Sequence, residues 1–237
     1  MYFKLQITWY GFMYVLSYFL IENLSISVKK ILHPTYDSSK LQKMCWYVFV
    51  FGILGACFFN VLIYDRHNLH LLTSYRFMSL LIRGGKSFFG GIIGAVIVIA
   101  WVDYKHFFVV SDVLLTLLPL GIMLVRIVGS YTSHEFMQLV VYNIPLCIWA
   151  GLTEGAFCFA LMLCNLYYRF ANATGLFLIA YGSIRFCNDI CRMNIEESIL
   201  SVYTSITVGQ VCAIISIVVG ICIVLYHKRI NLRHDII

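Results

Sequence analysis

The chain has 237 residues, of which 61 % are hydrophobic and 12 % charged, with a mean hydropathy of +0.87; ordinary globular domains carry about 45–50 % apolar and about 25 % charged residues. A soluble fold this small cannot hide so much apolar surface, so lipid must cover much of the outside, which excludes disordered chains, nucleic-acid-binding modules and disulfide-stapled secreted domains. The net charge of +6 then matters through its placement across a membrane rather than as affinity for an acidic partner.

In chain order, apolar stretches at 7–21, 45–64, 88–101, 110–128, 144–164, 173–186 and 206–226 are predicted as helices. A crossing needs about 20 residues. The second, fifth and seventh stretches reach that length directly. The first, third and sixth do so with Tyr-, Gly- and Ser-rich flanks in the interface. The first has no small-x-small cleavage site before Glu22 and reads as a retained helix. With three prolines in the whole chain and no alternating barrel pattern, helices are the spanning element. The expected fold class is an all-α membrane protein, a polytopic bundle of about seven transmembrane helices with a small outer-side cap. Residues 1–237 form one integral-membrane domain. The outer segments are placed at 131–138 and 194–204.

Lys and Arg set the orientation. Lys29, Lys30, Lys40, Lys43, Lys105, Arg169, Lys228, Arg229 and Arg233 fall on one side when seven helices are counted. Placing that side in the cytoplasm leaves the N-terminus outside. Arg66, Arg76, Arg83 and Lys86 then lie on the outer side, against the rule, and need another task. Nine cysteines form no CxxC pair. Seven of them lie in apolar runs, where cysteine acts as a small hydrophobe. Cys187 and Cys191, one turn apart, have no further thiol or imidazole beside them, so no metal site is assigned.

Charges at membrane depth are costly, about 2.5–3.5 kcal/mol each on insertion scales, and so mark function. Four stand out: Arg126, Glu154, Arg185 and Asp189. Tyr181, Arg185, Asp189 and Arg192, spaced four, four and three apart, share one helical face. In the proposed orientation this face and Arg126 emerge on the same outer side. Two guanidiniums at one level suit a phosphate diester. A plainer arrangement fits the spacing equally: Arg185 pairs with Asp189 while Arg126 snorkels to the interface. The run Gly84-Gly85-Lys86-Ser87-Phe88-Phe89-Gly90-Gly91 precedes a helix at the same outer end. Its backbone amides suit an anion, and its small residues equally suit tight helix packing. The Walker spacing is absent.

These residues resemble the prolipoprotein diacylglyceryl transferases. Trp9-Tyr10-Gly11-Phe12-Met13-Tyr14 is similar to the family's WYGLMY, and 84–94 to its GGMSFHGGLxG. Pro119-Leu120-Gly121 with Arg126-Ile127 resembles PLG…GRIGNFINGE. Pro145 leads to Glu154-Gly155 at the spacing of PSQLYEALLEG. Tyr181-Gly182, Arg185-Phe186, Asp189 and Arg192 fit YGxxRFxxExxR with Asp for Glu, and Thr207-Val208-Gly209-Gln210 fits TMGQ. The resemblance implies a seven-helix inner-membrane enzyme whose site faces outward. Such an enzyme moves the diacylglyceryl group of phosphatidylglycerol onto the lipobox cysteine of a preprolipoprotein signal peptide. It implies catalytic roles for Arg126, Arg185 and Tyr181. Substrate contacts would come from Arg126, Tyr10, Gly84, Gly85, Ser87, Gly90, Gly91, Glu135 and Arg192, with Asp189 orienting Arg185. Membrane lipid is the medium; no cofactor, metal or nucleic acid enters.

The departures fall on the groups that handle protons. Phe89 stands where the family has histidine, the asparagine after the RIG triplet is missing, and Glu135 aligns with the following acid only across a one-residue gap; without it His134 takes that place. Leu146, Cys147, Trp149 and Ala150 replace the polar and tyrosine positions of PSQLYE, and Cys57 replaces an arginine of the second helix. Two readings follow. One is a divergent working transferase that draws thiolate from local positive charge, with His67, His70 or His134 as substitute bases. The other is a catalytically silent relative that binds anionic lipid or precursor. A small seven-helix transporter is more remote, since no inverted repeat is evident.

Overall fold

The computed structural model describes residues 9–63, 87–132, 140–141, 144–192 and 207–234. Among them the chain forms α1 (Trp9–Leu32), α2 (Ser38–Ile63), α3 (Phe88–Asp103), a 3-10 turn (Tyr104–His106) and α4 (Phe107–Thr132). A two-residue antiparallel pairing follows, with Val141 opposite Ile144. Then come α5 (Leu146–Ala150), a π-helical turn (Gly151–Phe157), α6 (Cys158–Tyr168), α7 (Ala173–Arg192) and α8 (Val208–His234). The protein is therefore helical, and among the described residues five stretches are long and apolar enough to cross a membrane: Gly11–Leu32, Ser38–Ile63, Phe88–Val128, Cys147–Tyr168 and Val208–Arg229. The expected outer segments fall mainly outside the described residues.

Helix ends lie well beyond the apolar stretches. α1 runs on to Leu32 with Lys29 and Lys30 in its last turn, and α8 continues to His234. A helix stops where its backbone groups find other partners, not where hydrophobicity falls. Lysines near a C-terminus are also favoured by the helix dipole. The Phe88–Val128 stretch holds 41 residues, about 60 Å as one helix, or twice the hydrocarbon thickness. Asp103, at φ −147° and ψ 63° before the 3-10 turn, interrupts it.

The described residues group into two compact units, Thr35–Val110 and Met1–Pro34 with Ser111–Ile237. In the first, α2 and α3 meet backbone to backbone. A Cβ on Gly94 would lie 2.2 Å from the Phe51 carbonyl oxygen, and one on Gly90 2.4 Å from Phe59 Cβ. Small residues permit this approach, as is common between membrane helices. The Ser87 amide donates to the Ala56 carbonyl at 3.1 Å just ahead of α3. At the other end of α3, the Tyr36 hydroxyl donates to Asp103 Oδ2 at 2.9 Å, and His106 Nδ1 lies 2.8 Å from Oδ1. Burial first, and then the Asp103 carboxylate, push the Tyr36 hydroxyl above its ordinary pKa, so it stays a donor.

In the second unit, the start of α7 is capped twice. Asn172 Oδ1 accepts from the Gly175 amide at 3.0 Å, the usual N-cap geometry. Asp112, on α4, accepts from the Thr174 amide at 2.8 Å and hydroxyl at 2.6 Å. It also accepts from Asn172 Nδ2, at 3.1 and 3.0 Å to its two oxygens. His33 Nε2 stands 3.5 Å from the same carboxylate. Asp112 thus ties α4 to the start of α7 as the shared acceptor of three donors. Asp112→Ala is expected to cost about 3 kcal/mol, because buried donors lose a charged acceptor. The check is a lowered melting temperature in detergent, with Asp112→Asn recovering part of the loss.

α7 and α8 also pack closely. A Cβ on Gly220 would meet the Gly175 carbonyl oxygen at 2.8 Å, and one on Gly182 the Ala213 carbonyl oxygen at 2.9 Å.

Candidate functional site

Four side chains from two helices of the second unit, α4 and α7, converge on one carboxylate. Glu154 is fully buried in the π-helical turn Gly151–Phe157. Its Oε2 accepts from Arg126 Nη2 of α4 at 3.3 Å and lies 3.4 Å from the donating Tyr181 hydroxyl of α7. Its Oε1 accepts from Arg185 Nη1 at 3.2 Å and Asn188 Nδ2 at 3.0 Å, both on α7. Arg185 Nη2 reaches Asp189 Oδ1 at 3.0 Å. Two guanidiniums and two carboxylates therefore alternate across α4, the π turn and α7.

Local backbone explains the convergence. A π turn inserts one extra residue into the helical repeat, a device that often marks functional positions. Gly151 and Gly155 flank Glu154 against α4. A Cβ at Gly151 would lie 2.9 Å from Ile127 Cγ1, and one at Gly155 2.6 Å from Met123 Cα. No side chain separates the turn from α4 there, so Glu154 reaches Arg126. On α7, Tyr181 is 1 % exposed and its ring stacks on Phe177 at 5.5 Å. The Asp112–Thr174 contact sets the level. Arg126 stands 14 residues above Asp112 and Arg185 11 above Thr174, or about 21 and about 17 Å at 1.5 Å per residue. Both guanidiniums thus reach one depth.

At the start of α8, Thr207 and Gln210 form a capping box. The Thr207 amide donates to Gln210 Oε1 at 3.0 Å and the Gln210 amide to Thr207 Oγ1 at 3.1 Å. Between them, a Cβ on Gly209 would fall 2.0 Å from Asp189 Oδ2, so the bare backbone of this turn lets Asp189 sit where it holds Arg185.

The arrangement suits a phosphate ester. Arg126 and Arg185 side chains are 26 % and 14 % exposed while Glu154 is at 0 %, so the cations, not the carboxylate, face the accessible side. Guanidiniums present fork geometry to phosphate oxygens, and a buried acid beneath them keeps the pair from carrying two uncompensated charges.

Of the residues expected at the site, Arg126, Arg185, Tyr181 and Asp189 come together. Ser87, Gly90 and Gly91 lie in the other unit, where Gly90 faces α2. Tyr10 is in the first turn of α1, and Arg192 ends α7. Gly84, Gly85 and Glu135 lie outside the described residues. Of the plainer arrangement one half appears: Arg185 pairs with Asp189, while Arg126 meets Glu154.

Comparison with known proteins identifies the family. The family described as prolipoprotein diacylglyceryl transferase matches residues 1–226. The chain belongs to that family. Among named relatives, the phosphatidylglycerol–prolipoprotein diacylglyceryl transferase of Haemophilus influenzae (strain PittEE) is 25 % identical over 239 residues, 92 % of this chain and 86 % of the relative. Its namesake in Pseudomonas aeruginosa (strain LESB58) is 26 % identical over 250 residues, 95 % and 91 % of the two chains. That of Aeromonas hydrophila subsp. hydrophila is 26 % identical over 239 residues, 91 % and 84 %.

Within this diacylglyceryl transferase chain, Glu154 is the residue whose place sequence reasoning undervalued. It stood out as a membrane-depth charge but received no role. Trp149 figured only as a departure from PSQLYE, and Asn188 and Thr153 were missed altogether, although Asn188 lies on the helix that carries both Arg185 and Asp189.

Proposed function

We propose that this chain transfers the diacylglyceryl group of phosphatidylglycerol to the lipobox cysteine of preprolipoproteins, in the plasma membrane of a bacterium. The observation that carries the reading is the meeting of Arg126 and Arg185, from two helices, on one buried carboxylate, in a chain that matches the family over residues 1–226. The names of the relatives supply the substrates.

The arrangement across the membrane is seven crossings, N-terminus outside and C-terminus cytoplasmic. It draws support from the helix break at Asp103, which divides the 41-residue apolar stretch, and from α7, whose 20 residues span about 30 Å. Asp112 and Thr174 then lie toward the cytoplasm and the guanidinium pair toward the outer leaflet.

In the reaction, the cysteine thiolate attacks the glyceryl carbon bonded to phosphate oxygen. The C–S bond forms as that C–O bond breaks, and glycerol 1-phosphate leaves with the electron pair. The phosphate passes from a singly charged diester to a more highly charged monoester. Arg126 and Arg185 therefore hold the departing group more strongly than the substrate, which is the condition for catalysis. Tyr181 lines the reacting carbon, and Tyr10 would approach from α1. By resemblance to the family, Glu135 and Arg192 are further substrate contacts. The thiol has an ordinary pKa near 8.5; nearby cations stabilise its thiolate, and the proton passes to water rather than to a dedicated base.

Phe89 favours a second reading. Where the family has histidine, a phenylalanine packs edge-on to Phe88 with ring centroids 5.8 Å apart and takes no proton. A relative that binds phosphatidylglycerol without turnover would keep the arginines and lose that group. Complementation separates the two: expressed in a bacterium depleted of its own transferase, this chain is expected to restore growth and lipidated precursor, and Arg126→Ala to abolish both while accumulating normally. Wild-type protein that binds phosphatidylglycerol vesicles yet yields no lipidated precursor would establish the silent relative instead.

A further inference from the structure

Beside the arginines lies a set of neutral hydrogen bonds that neither the reaction nor the family motifs account for. Asn188 is 4 % exposed. Its Nδ2 donates to Glu154 Oε1 at 3.0 Å and to Thr153 Oγ1 at 3.0 Å. Its Oδ1 accepts from the indole Nε1 of Trp149 at 3.2 Å. The Thr153 hydroxyl donates in turn to the Trp149 carbonyl at 2.9 Å. Indole nitrogen donates and never accepts, so Trp149 fixes which end of the amide faces it. The NH2 end must then face the carboxylate.

That orientation has a consequence at Glu154. Oε1 is shared between Asn188 and Arg185, and Oε2 between Tyr181 and Arg126. With Asn188 holding one side of Oε1, Arg185 meets Glu154 through Nη1 alone and turns Nη2 to Asp189. Without it the carboxylate is free to rotate into a two-point fork with one guanidinium, the geometry such pairs prefer. The arginine so captured would present fewer donors to a lipid phosphate.

We infer that Asn188, oriented by Trp149, is a positioning residue that keeps Glu154 from closing onto the arginines, so that both guanidiniums stay available to the phosphate of the lipid substrate. The inference rests on the transferase reading for its substrate, but its geometry is independent of turnover. Trp149 and Asn188 act in series, and the effect of one passes through the other.

The test uses full-length protein in nanodiscs, with phosphatidylglycerol and a fluorescent lipobox peptide. Asn188→Leu is expected to raise the KM for phosphatidylglycerol about 10-fold while kcat changes less than about 3-fold. Trp149→Phe keeps the ring but removes the donor, and is expected to raise KM about 3-fold. The double variant should match Asn188→Leu alone, since the Trp149 bond has no work left once the amide is gone. Asn188→Gln, which retains the amide, should recover part of the loss. Unchanged KM in Asn188→Leu, or effects that multiply in the double variant, overturns the proposal. So does a fall in melting temperature with kinetics intact, which marks a purely structural amide. Should wild-type protein transfer nothing, the transferase reading fails, and affinity for phosphatidylglycerol vesicles replaces KM: a 10-fold weakening in Asn188→Leu upholds the positioning role and unchanged affinity overturns it.

Discussion

Arg185→Ala is expected to remove transfer by at least about 10³-fold, near the upper end of what losing one preorganised donor costs, and to destabilise the protein by about 3–5 kcal/mol, as when one partner of a buried ion pair is deleted. The size follows from the two acids it serves. Arg185 reaches Glu154 at 3.2 Å and Asp189 at 3.0 Å, both almost wholly buried, and the truncation takes the shared cation from each. Arg185→Lys keeps the charge but not the planar fork that spans two carboxylates, so it should retain stability better than activity. The informative variant is Arg185→Ala with Glu154→Gln, which removes one cation and one anion together. Stability should recover by about 1–3 kcal/mol because one unpaired buried charge is gone, yet transfer should stay absent because the clamp has lost an arm. Melting temperature in detergent and the rate of precursor lipidation are the two readouts. Recovery of transfer in the double variant would mean that Arg185 serves folding alone.

That outcome bears on what the sequence makes legible. The charges at membrane depth were visible because each is expensive in lipid and hence unlike its surroundings. Arg126, Glu154, Arg185 and Asp189 therefore emerge from their place in the apolar stretches, and the four-residue spacing aligns Arg185 with Asp189. The helices were legible for the same reason, though their ends were not. Hydropathy reports lipid contact, whereas Asn172 and Asp112 at α7, or Thr207 and Gln210 at α8, decide where backbone bonding begins. What stayed hidden was the π turn. Its single extra residue changes the face on which Glu154 points, and nothing in the run Gly151-Leu152-Thr153-Glu154-Gly155 distinguishes it from an ordinary turn. Asn188 and Trp149 were hidden differently: each is an unremarkable residue at the edge of an apolar run, and their importance exists only in the pairing. The glycine run at 84–91 shows the converse. Its sequence reads both as an anion cradle and as a packing stripe, and at Gly90 the neighbours are the Gly55 carbonyl and Phe59.

The other large effect is expected at a position that carries no functional group. Gly155→Ala adds one carbon, yet that carbon would lie 2.6 Å from Met123 Cα and 2.8 Å from its backbone nitrogen. Backbone cannot rotate aside as a flexible side chain can, so the π turn and α4 must part by about an ångström to restore ordinary contact. Overpacking of this kind costs about 1–3 kcal/mol, and the direction of the displacement matters more than its energy. It carries Glu154 away from Arg126, whose bond at 3.3 Å is already long, while Arg185 and Asn188 hold the same carboxylate from α7. The clamp should open on its α4 side. Transfer is expected to fall about 10²-fold, the scale at which a 1 Å misplacement acts, with the protein still folded and still extracted as a single species. Gly151→Ala, whose added carbon meets Ile127 Cγ1 at 2.9 Å but backbone only at 3.6 Å, should lose about 10-fold or less, since a smaller displacement restores contact. Equal losses at the two glycines would place the fault in general helix packing, whereas a larger loss at Gly155 ties catalysis to the separation between Arg126 and its acid.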